Sequence, residues 1–510
     1  EFPYPFMTVN AEKAAARTYD YIIVGGGTAG CPLAATLSQN YSVLVLERGG
    51  SPYGNPDIEN ADAYGKPLRE TNNYTSIAQE FVSEDGVQLH RARVLGGGTA
   101  LNAGFYSRAS LKYIRDMRWD ERIVNQSYEW VEKQNAFKPN RLSRWSSTFQ
   151  NALLEAGVLP YNGYTVDHVE GTKISASTFD NSGKRHTAAD LLKNANPQNI
   201  VVLLNATASR ILFHSASGNP KAYGIEFMSA INGLYYKVSL NRLSGRSEII
   251  LSAGSIGSPQ LLLLSGIGSS KHLKEFNIPV LLDLSSVGKG VQDNPGTGLR
   301  VESPIPLEIS SIQVVAIVNN SQAYIESSSS FEQVAINGTS GSTRTQYWGG
   351  IFEKIAFPLS RGNLRLQSKD PRDNPSVRYN YFSHPHDLQT CVQALKVISK
   401  LSETASIQNF TFKTKPSGTK ELRFIGMTFP QKDDKTIAKI CFDNLYTIWH
   451  FHGGCHIGSV IDQKYRVKGV HGLRIADGST FKDSPGTNPQ ATTMMLGRYI
   501  ALKILQEHLR

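Results

Sequence analysis

Two short runs near the start of the chain, Tyr21-Ile-Ile-Val24 and Val43-Leu-Val-Leu46, are apolar at every position. An unbroken apolar run of this length, bounded by turn residues, predicts a strand buried on both faces. Between them lies Gly25-Gly-Gly-Thr-Ala-Gly30, then a helix opening at Cys31-Pro-Leu-Ala-Ala35. Related texture returns at Ile200–Phe213, read as a strand pair or one long bent strand, and at Ser247-Glu-Ile-Ile-Leu-Ser-Ala-Gly254. Ser258–Leu264 then starts a helix. Gln490–Gln506 is apolar at helical spacing and follows Pro485-Gly-Thr-Asn-Pro489. Residues 130–190 are read as helices and loops, with an amphipathic helix beginning at Trp145. From Leu299 to Lys435 the texture changes: Val301–Tyr324 alternates apolar and polar positions, which predicts an antiparallel sheet. Ser327–Ser330 and Asn337–Thr343 are read as polar loops, and no internal repeat is present.

The first glycine segment has a specific physical job. Gly25 makes the tight turn, Gly27 lets the backbone approach phosphates, and Gly30 packs helix on strand, so that the helix N-terminus faces the anion. Thr28 and Ala29 belong to the same turn. Glu47 stands 20 residues beyond Gly27, followed by Arg48, where a carboxylate can accept hydrogen bonds from a ribose diol. Strands with glycine-rich ends recurring along the chain predict a discontinuous nucleotide domain.

A chain of 510 residues has room for two or more domains and a large core. The net charge of +10 is spread along the sequence, and even Lys413, Lys415 and Lys420 are diluted by polar neighbours, so nucleic acid is not expected as a partner. No stretch of 18 apolar residues occurs, so no membrane span is expected. Four cysteines (Cys31, Cys391, Cys441, Cys455) permit at most two disulfides. Cys31, opening the nucleotide helix, is expected to be a buried small residue. Asn-x-Ser/Thr sequons stand at Asn40, Asn73, Asn125, Asn205, Asn319, Asn337 and Asn409. The expectation is a secreted, extracellular or vacuolar N-glycoprotein, acting as a monomer.

Four further segments carry a resemblance. Arg91-Ala-Arg-Val-Leu-Gly-Gly-Gly-Thr-Ala-Leu-Asn-Ala-Gly104, Gly254-Ser-Ile-Gly-Ser-Pro-Gln-Leu-Leu-Leu-Leu-Ser-Gly-Ile-Gly268, Val287-Gly-Lys-Gly-Val-Gln-Asp-Asn-Pro295 and Leu473-Arg-Ile-Ala-Asp-Gly478 resemble the signatures of the glucose-methanol-choline oxidoreductases. They run in that family's order from residue 20 to the C-terminus. The nearest branch is the plant one that holds flavin-dependent hydroxynitrile lyases and HOTHEAD-like proteins. The resemblance implies an α/β fold (α+β overall), with a discontinuous Rossmann-like FAD-binding domain over residues 18–130, 190–298 and 436–510. A substrate domain with an antiparallel sheet would take residues 131–189 and 299–435.

The resemblance also implies where FAD would sit. Gly97, Gly98, Asn102 and Ala103 should lie against the isoalloxazine ring, Val202 should flank the adenine, and Asp477 should meet the pyrophosphate or ribityl chain. Val94, Thr99, Gly104, Ala253, Trp449, Gly478, Asn488, Pro489 and Gln490 complete the expected contacts. Relatives with a covalent flavin carry His where this chain has Leu101, so non-covalent FAD is expected. Cys391 and Cys441 match positions bridged in the resembling lyases, which implies a disulfide between them. Cys455 is expected to be a buried thiol near His450.

Tyr446-Thr-Ile-Trp-His-Phe-His-Gly-Gly-Cys-His456 holds three of the twelve histidines. His450, His452, Cys455 and His456 are all capable ligands, but a flexible Gly-Gly separates them and no second cluster follows, so no metal is expected. The resemblance makes His450 the active-site histidine, with Asn488 in the partner position. A neutral imidazole can take the hydroxyl proton of an alcohol while hydride leaves for N5 of FAD, and Asn488 can donate to the developing alkoxide. His452 and His456 are read as packing residues. The expected reaction is oxidation of an aromatic or long-chain alcohol to its aldehyde. The alternative is a hydroxynitrile lyase cleaving a cyanohydrin without flavin redox. Against it, Asn488 replaces that group's second histidine and Ile448 its tyrosine. Ala253-Gly-Ser-Ile-Gly257 lacks the first glycine of a hydrolase elbow. Trp348, Phe352, Phe357 and Trp449 are candidates to line an apolar substrate cavity.

Overall fold

A computed structural model describes residues 2–214, 218–335, 342–413, 418, 420–425 and 433–509, with Ser244 as backbone only. Its centre is a six-stranded parallel sheet in the order Met7–Thr8, Ile200–Leu203, Val43–Leu46, Tyr21–Val24, Glu248–Leu251, Leu473–Ile475. Ile22 pairs with Leu44 on one side and Ile249 on the other. Every residue of Tyr21–Val24 and Val43–Leu46 is buried, which explains why neither run alternates. The sheet takes a strand from ahead of residue 18 as well. Helix Gly30–Leu37 packs on strands Tyr21–Val24 and Val43–Leu46, and helix Gln490–His508 packs on that helix. A Cβ at Gly497 would come within 2.2 Å of the Ala29 carbonyl oxygen, so the last helix can seat only with glycine there.

Ile200–Phe213 is a strand pair. Asn205, at φ 56°, turns the chain from Ile200–Leu203 into Ala206–His214, which joins a separate four-stranded sheet with Lys221–Ser229, Tyr235–Leu240 and Thr18–Tyr19. A non-glycine residue with positive φ is tolerated best as Asn or Asp, and a turn this sharp lets one sequence run serve two sheets.

A seven-stranded sheet forms the second layer system, ordered Phe424–Ile425, Gly296–Ser303, Thr343–Ile355, Ala323–Ala335, Val314–Val318, Gly171–Ile174, Tyr161–Tyr164. It is antiparallel except for its parallel edge pair Tyr161–Tyr164 and Gly171–Ile174. Those two strands fall in the region read as helices and loops. Ser327–Ser330 is likewise strand rather than a loop, with alternate serines buried. Ser327 and Ser329 are fully covered, and Ser329 Oγ donates to the Glu308 carbonyl at 2.6 Å. Hydroxyls that find partners inside a sheet defeat a reading based on polarity alone.

Alternate residues of this sheet face two different environments. Leu299, Val301, Ile325 and Ile351 pack on helices Arg144–Glu155 and Pro385–Ser402, with Trp145 covering Gly349. On the opposite face Val315, Ile317 and Tyr324 meet Phe105 and Ala356. A disulfide joins Cys391 to Cys441, tying helix Pro385–Ser402 to helix Asp434–Asp443, while Cys31 and Cys455 are free and buried. Among the described residues no helix is long and apolar enough to cross a membrane. Asn337 and Lys415 lie outside the described residues.

Candidate active site

The two glycine segments meet at the carboxyl end of the parallel sheet. A Cβ at Gly25 (φ 104°) would stand 2.4 Å from the Ser252 carbonyl oxygen, and one at Gly30 would stand 1.9 Å from that of Gly25. Gly97 (φ 59°) crosses Gly27 so closely that a Cβ would lie 2.9 Å from the Gly27 Cα. Gly98 opens onto free space, leaving its backbone accessible to a ligand. Glu47 is buried; its carboxylate accepts from the Gly26 N–H at 3.0 Å and the Gly49 N–H at 2.8 Å. Burial pushes that carboxyl upward and the Gly49 amide opposes the shift.

From this turn a cavity of about 320 Å³ runs past Gly97–Phe105 to Trp449, His450 and Asn488. Its wall contains the expected cofactor residues and both expected catalytic residues, apart from Gly30 and Val202. Gly30 sits against Gly25 as the packing glycine. Val202 is fully buried inside the parallel sheet, paired with Met7 and Val45, and does not line this cavity. Ala206, Thr207 and Ala208 line it instead, because the chain leaves the sheet at Asn205. Trp348, Phe352 and Phe357 do not line it either. Trp348 lies under the Arg300 guanidinium, Phe352 against Tyr446, and Phe357 against Gly486.

Several lining residues were not singled out from the sequence. Arg91 hydrogen-bonds the amide oxygens of Gln260 and Asn374, both at 3.3 Å. Its guanidinium is pushed well below the ordinary arginine range by burial and by Arg48 and Arg93. Burial and Arg93 likewise push Arg48 down to about 10. Two crowded guanidiniums on the cavity wall beside an open glycine turn suit a pyrophosphate. Asp477 lines the cavity too, but its oxygens accept from the Gly254 N–H (2.9 Å), Ser258 Oγ (2.5 Å) and the Ser479 N–H (2.8 Å), fixing the start of helix Gly254–Leu264.

The far end is built around His450. Trp449, immediately before it, sits at φ 61°, a costly conformation for a bulky residue. Its N–H donates to Thr447 Oγ1 at 2.9 Å, and Thr447 in turn donates to Asp293. Asp293 Oδ2 also accepts from the Tyr381 hydroxyl at 2.6 Å, and the carboxylate receives the His450 backbone N–H. Burial pushes this carboxyl up to about 6. His452 Nδ1 donates to the His450 carbonyl at 2.9 Å. The His450 ring is hydrogen-bonded through Nδ1 to the Tyr324 hydroxyl at 3.1 Å, a contact across 126 residues of sequence. Burial, the Lys354 ammonium and His452 hold His450 well below the ordinary imidazole range, so the ring is neutral at pH 7. The indole N–H of Trp449 and Oδ1 of Asn488 are buried and meet no partner within the described chain. Such orphaned groups on a cavity wall fit a polar ligand. Among the described residues no group of three or more His, Cys, Asp or Glu side chains is placed to hold a metal ion.

A glycine turn on a parallel sheet, a buried acid behind it and a neutral imidazole at the far end of one cavity define a nucleotide-binding oxidoreductase scaffold. Comparison with known proteins gives its family. The chain belongs to the GMC oxidoreductases, whose N-terminal and C-terminal domain models match residues 19–296 and 358–497. It is 45% identical over 520 residues to "(R)-mandelonitrile lyase-like" of Arabidopsis thaliana, covering 99% of this chain and 93% of that one. It is 43% identical over 502 residues to "Sinalpyl alcohol oxidase Nec3" of Nesocodon mauritianus, covering 96% and 89%. The fold superposes on an Aspergillus oryzae formate oxidase with a TM-score of 0.79 at 18% identity, covering 97% of this chain and 99% of that one. Family membership implies FAD and an oxidoreductase or a related enzyme.

Proposed function

We propose that the protein oxidises an alcohol, aromatic or long-chain, to the aldehyde, using non-covalently held FAD. The observation that carries this reading is the neutral, buried imidazole of His450 on a cavity whose other end is a dinucleotide cradle. Gly25, Gly27, Glu47, Arg48 and the Ala206–Ala208 edge would hold the nucleotide end, and Gly97, Gly98, Asn102 and Ala103 the ring end. When bound, FAD supplies the hydride acceptor. His450 Nε2 takes the substrate hydroxyl proton, and the Asn488 amide donates to the oxygen as charge develops on it. Burial serves both steps, because electrostatic contacts strengthen where water is excluded. Leu101, an aliphatic residue on the wall, offers no atom for a covalent flavin link.

The second reading is cyanohydrin cleavage, favoured by the 45% identity to a lyase-like relative and by the Tyr324–His450 contact. Asn488 counts against it, since an amide cannot share the acid-base work. The deciding experiment follows flavin absorbance without oxygen while aromatic alcohols, long-chain alcohols and mandelonitrile are added. Bleaching by an alcohol supports oxidation. An unchanged band with benzaldehyde released from mandelonitrile would replace it with the lyase reading. We further propose a monomeric, secreted N-glycoprotein, supported by the disulfide and by the exposure of Asn40, Asn73, Asn125 and Asn409. Deglycosylation followed by mass measurement of the plant-expressed protein tests it.

A further inference from the structure

We propose that Tyr324 is the positioning residue of His450: its phenol oxygen accepts the Nδ1 proton, so that the Nε2 lone pair faces the cavity. This rests on the reading of His450 as the proton acceptor in alcohol oxidation.

A neutral imidazole carries one N–H, and the partner of one ring nitrogen decides what the other can do. Here Nδ1 has a partner and Nε2 has none within the described chain, although the ring lines the cavity. The orientation is over-determined. Tyr324 is fully buried on strand Ala323–Ala335, wedged among Val315, Ile317 and Phe105, so its ring has one place to be. The His450 backbone is held by Asp293 and His452. Two separate parts of the chain therefore fix the two ends of the Tyr324–His450 bond.

The direction of the bond depends on where the phenol sends its own proton. A buried hydroxyl must satisfy that proton, and if His450 were its only acceptor the imidazole would be left with Nε2–H and could not act as a base. A second acceptor exists. Asp293 Oδ1 is buried with no partner, and Asp293 is the charged group that acts most strongly on the Tyr324 phenol. One water between the phenol and Oδ1 would satisfy both and leave the phenol oxygen free to receive Nδ1–H. When substrate gives its proton to Nε2, the charge on the ring strengthens the Nδ1–H bond to that oxygen, offsetting the repulsion from Lys354, whose Nζ lies 5.5 Å from the Tyr324 ring centre.

The test uses holoenzyme labelled with ¹⁵N in histidine, with the His450 ring signals assigned by their loss in His450→Gln. The expected wild-type pattern is a protonated Nδ1 and an unprotonated Nε2. Tyr324→Phe keeps the ring volume and removes the hydroxyl. It should shift the His450 signals toward the Nε2–H form and slow anaerobic flavin bleaching by about 10- to 100-fold, with flavin content and KM little changed. A wild-type spectrum showing Nε2–H overturns the proposal, and so does a Tyr324→Phe enzyme that reacts at the wild-type rate. If no alcohol bleaches the wild-type flavin, the oxidase reading fails, while the ring spectrum still decides the tautomer. A variant that does not fold leaves the wild-type spectrum as the test.

Discussion

Asn102 and Gln490, 388 residues apart in sequence, are joined by a 2.9 Å hydrogen bond from Asn102 Nδ2 to Gln490 Oε1. The bond ties the second glycine segment to the first residue of the last helix. Gln490 Nε2 also donates to the Phe105 carbonyl at 2.5 Å, and Arg185 Nη1 donates to the Asn102 carbonyl at 2.6 Å. One side chain thus closes both ends of the Asn102–Phe105 turn that forms the cavity wall. Gln490→Ala strands two polar groups in a buried place, at a cost of about 1–3 kcal/mol. The purified variant is expected to show a lower ratio of flavin to protein absorbance and a lower Tm. A fully yellow variant melting with the wild type would contradict this account.

His450→Gln leaves the cavity filled but removes the proton acceptor. It should keep its flavin and lose about 10²- to 10⁴-fold in the rate of anaerobic bleaching by alcohol. The pH profile gives an independent check. The His450 imidazole is held well below its ordinary range by burial, Lys354 and His452, so the base form persists in mild acid. The wild-type kcat/KM is expected to stay level through pH 6.5, where an ordinary imidazole is half protonated. A fall centred near pH 6.5 would argue for a solvent-exposed ring instead.

The parts of this molecule set by local pattern were readable from the chain alone. The run Tyr21–Gly30 with Val43–Glu47 carries its strands, turn and acid within a few dozen residues, each demanded by local geometry. The Cys391–Cys441 pairing came only through resemblance, since four cysteines leave several pairings open. What failed depended on where the chain goes next. The resemblance places Val202 beside the adenine, and nothing in Ile200–Phe213 marks Asn205 as the corner after which Ala206–Ala208 line the cavity instead. Ser327–Ser330 reads as a loop by polarity, yet it is strand: Ser329 satisfies its hydroxyl on Glu308 and Ser310, a pairing that no period-2 pattern encodes. Ile448, two residues from His450, stands where the resembling lyases carry a tyrosine. The structure brings Tyr324 from another sheet, a contact that only the packing of the two layer systems creates.

The Cys391–Cys441 bridge spans a sequence separation of 50 and clamps the two helices that cover the antiparallel sheet. On the chain-entropy model a loop of that size contributes about 4 kcal/mol by restricting the unfolded chain. Replacing both cysteines by serine should therefore lower the denaturant midpoint while leaving the flavin spectrum intact, because neither cysteine lines the cavity. Unchanged stability on thorough reduction would show that the covered face holds without it.

Asp293 gives a pH signature that can be tested directly. Its carboxyl titrates at about 6 when folded, pushed up by burial, against about 3.9 in an unfolded chain. Between those values the native state holds a proton that the unfolded state has released. Stability therefore falls as pH rises from about 4 to 6, by up to about 3 kcal/mol, and the penalty stays constant above that. The ionised form is retained at neutral pH because Thr447, Tyr381 and the His450 N–H all donate to it, holding the strained Trp449 turn in place. Asp293→Asn cannot ionise, so chemical denaturation of wild type and variant at pH 4, 5, 6 and 7 should give a stability difference that shifts in the variant's favour across this window. Equal slopes would mean that the folded carboxyl titrates as an unfolded one does, its hydrogen bonds fully offsetting burial, and would overturn this account. The same variant should bleach more slowly with alcohol, since the amide cannot keep every donor that now aligns His450 with the cavity.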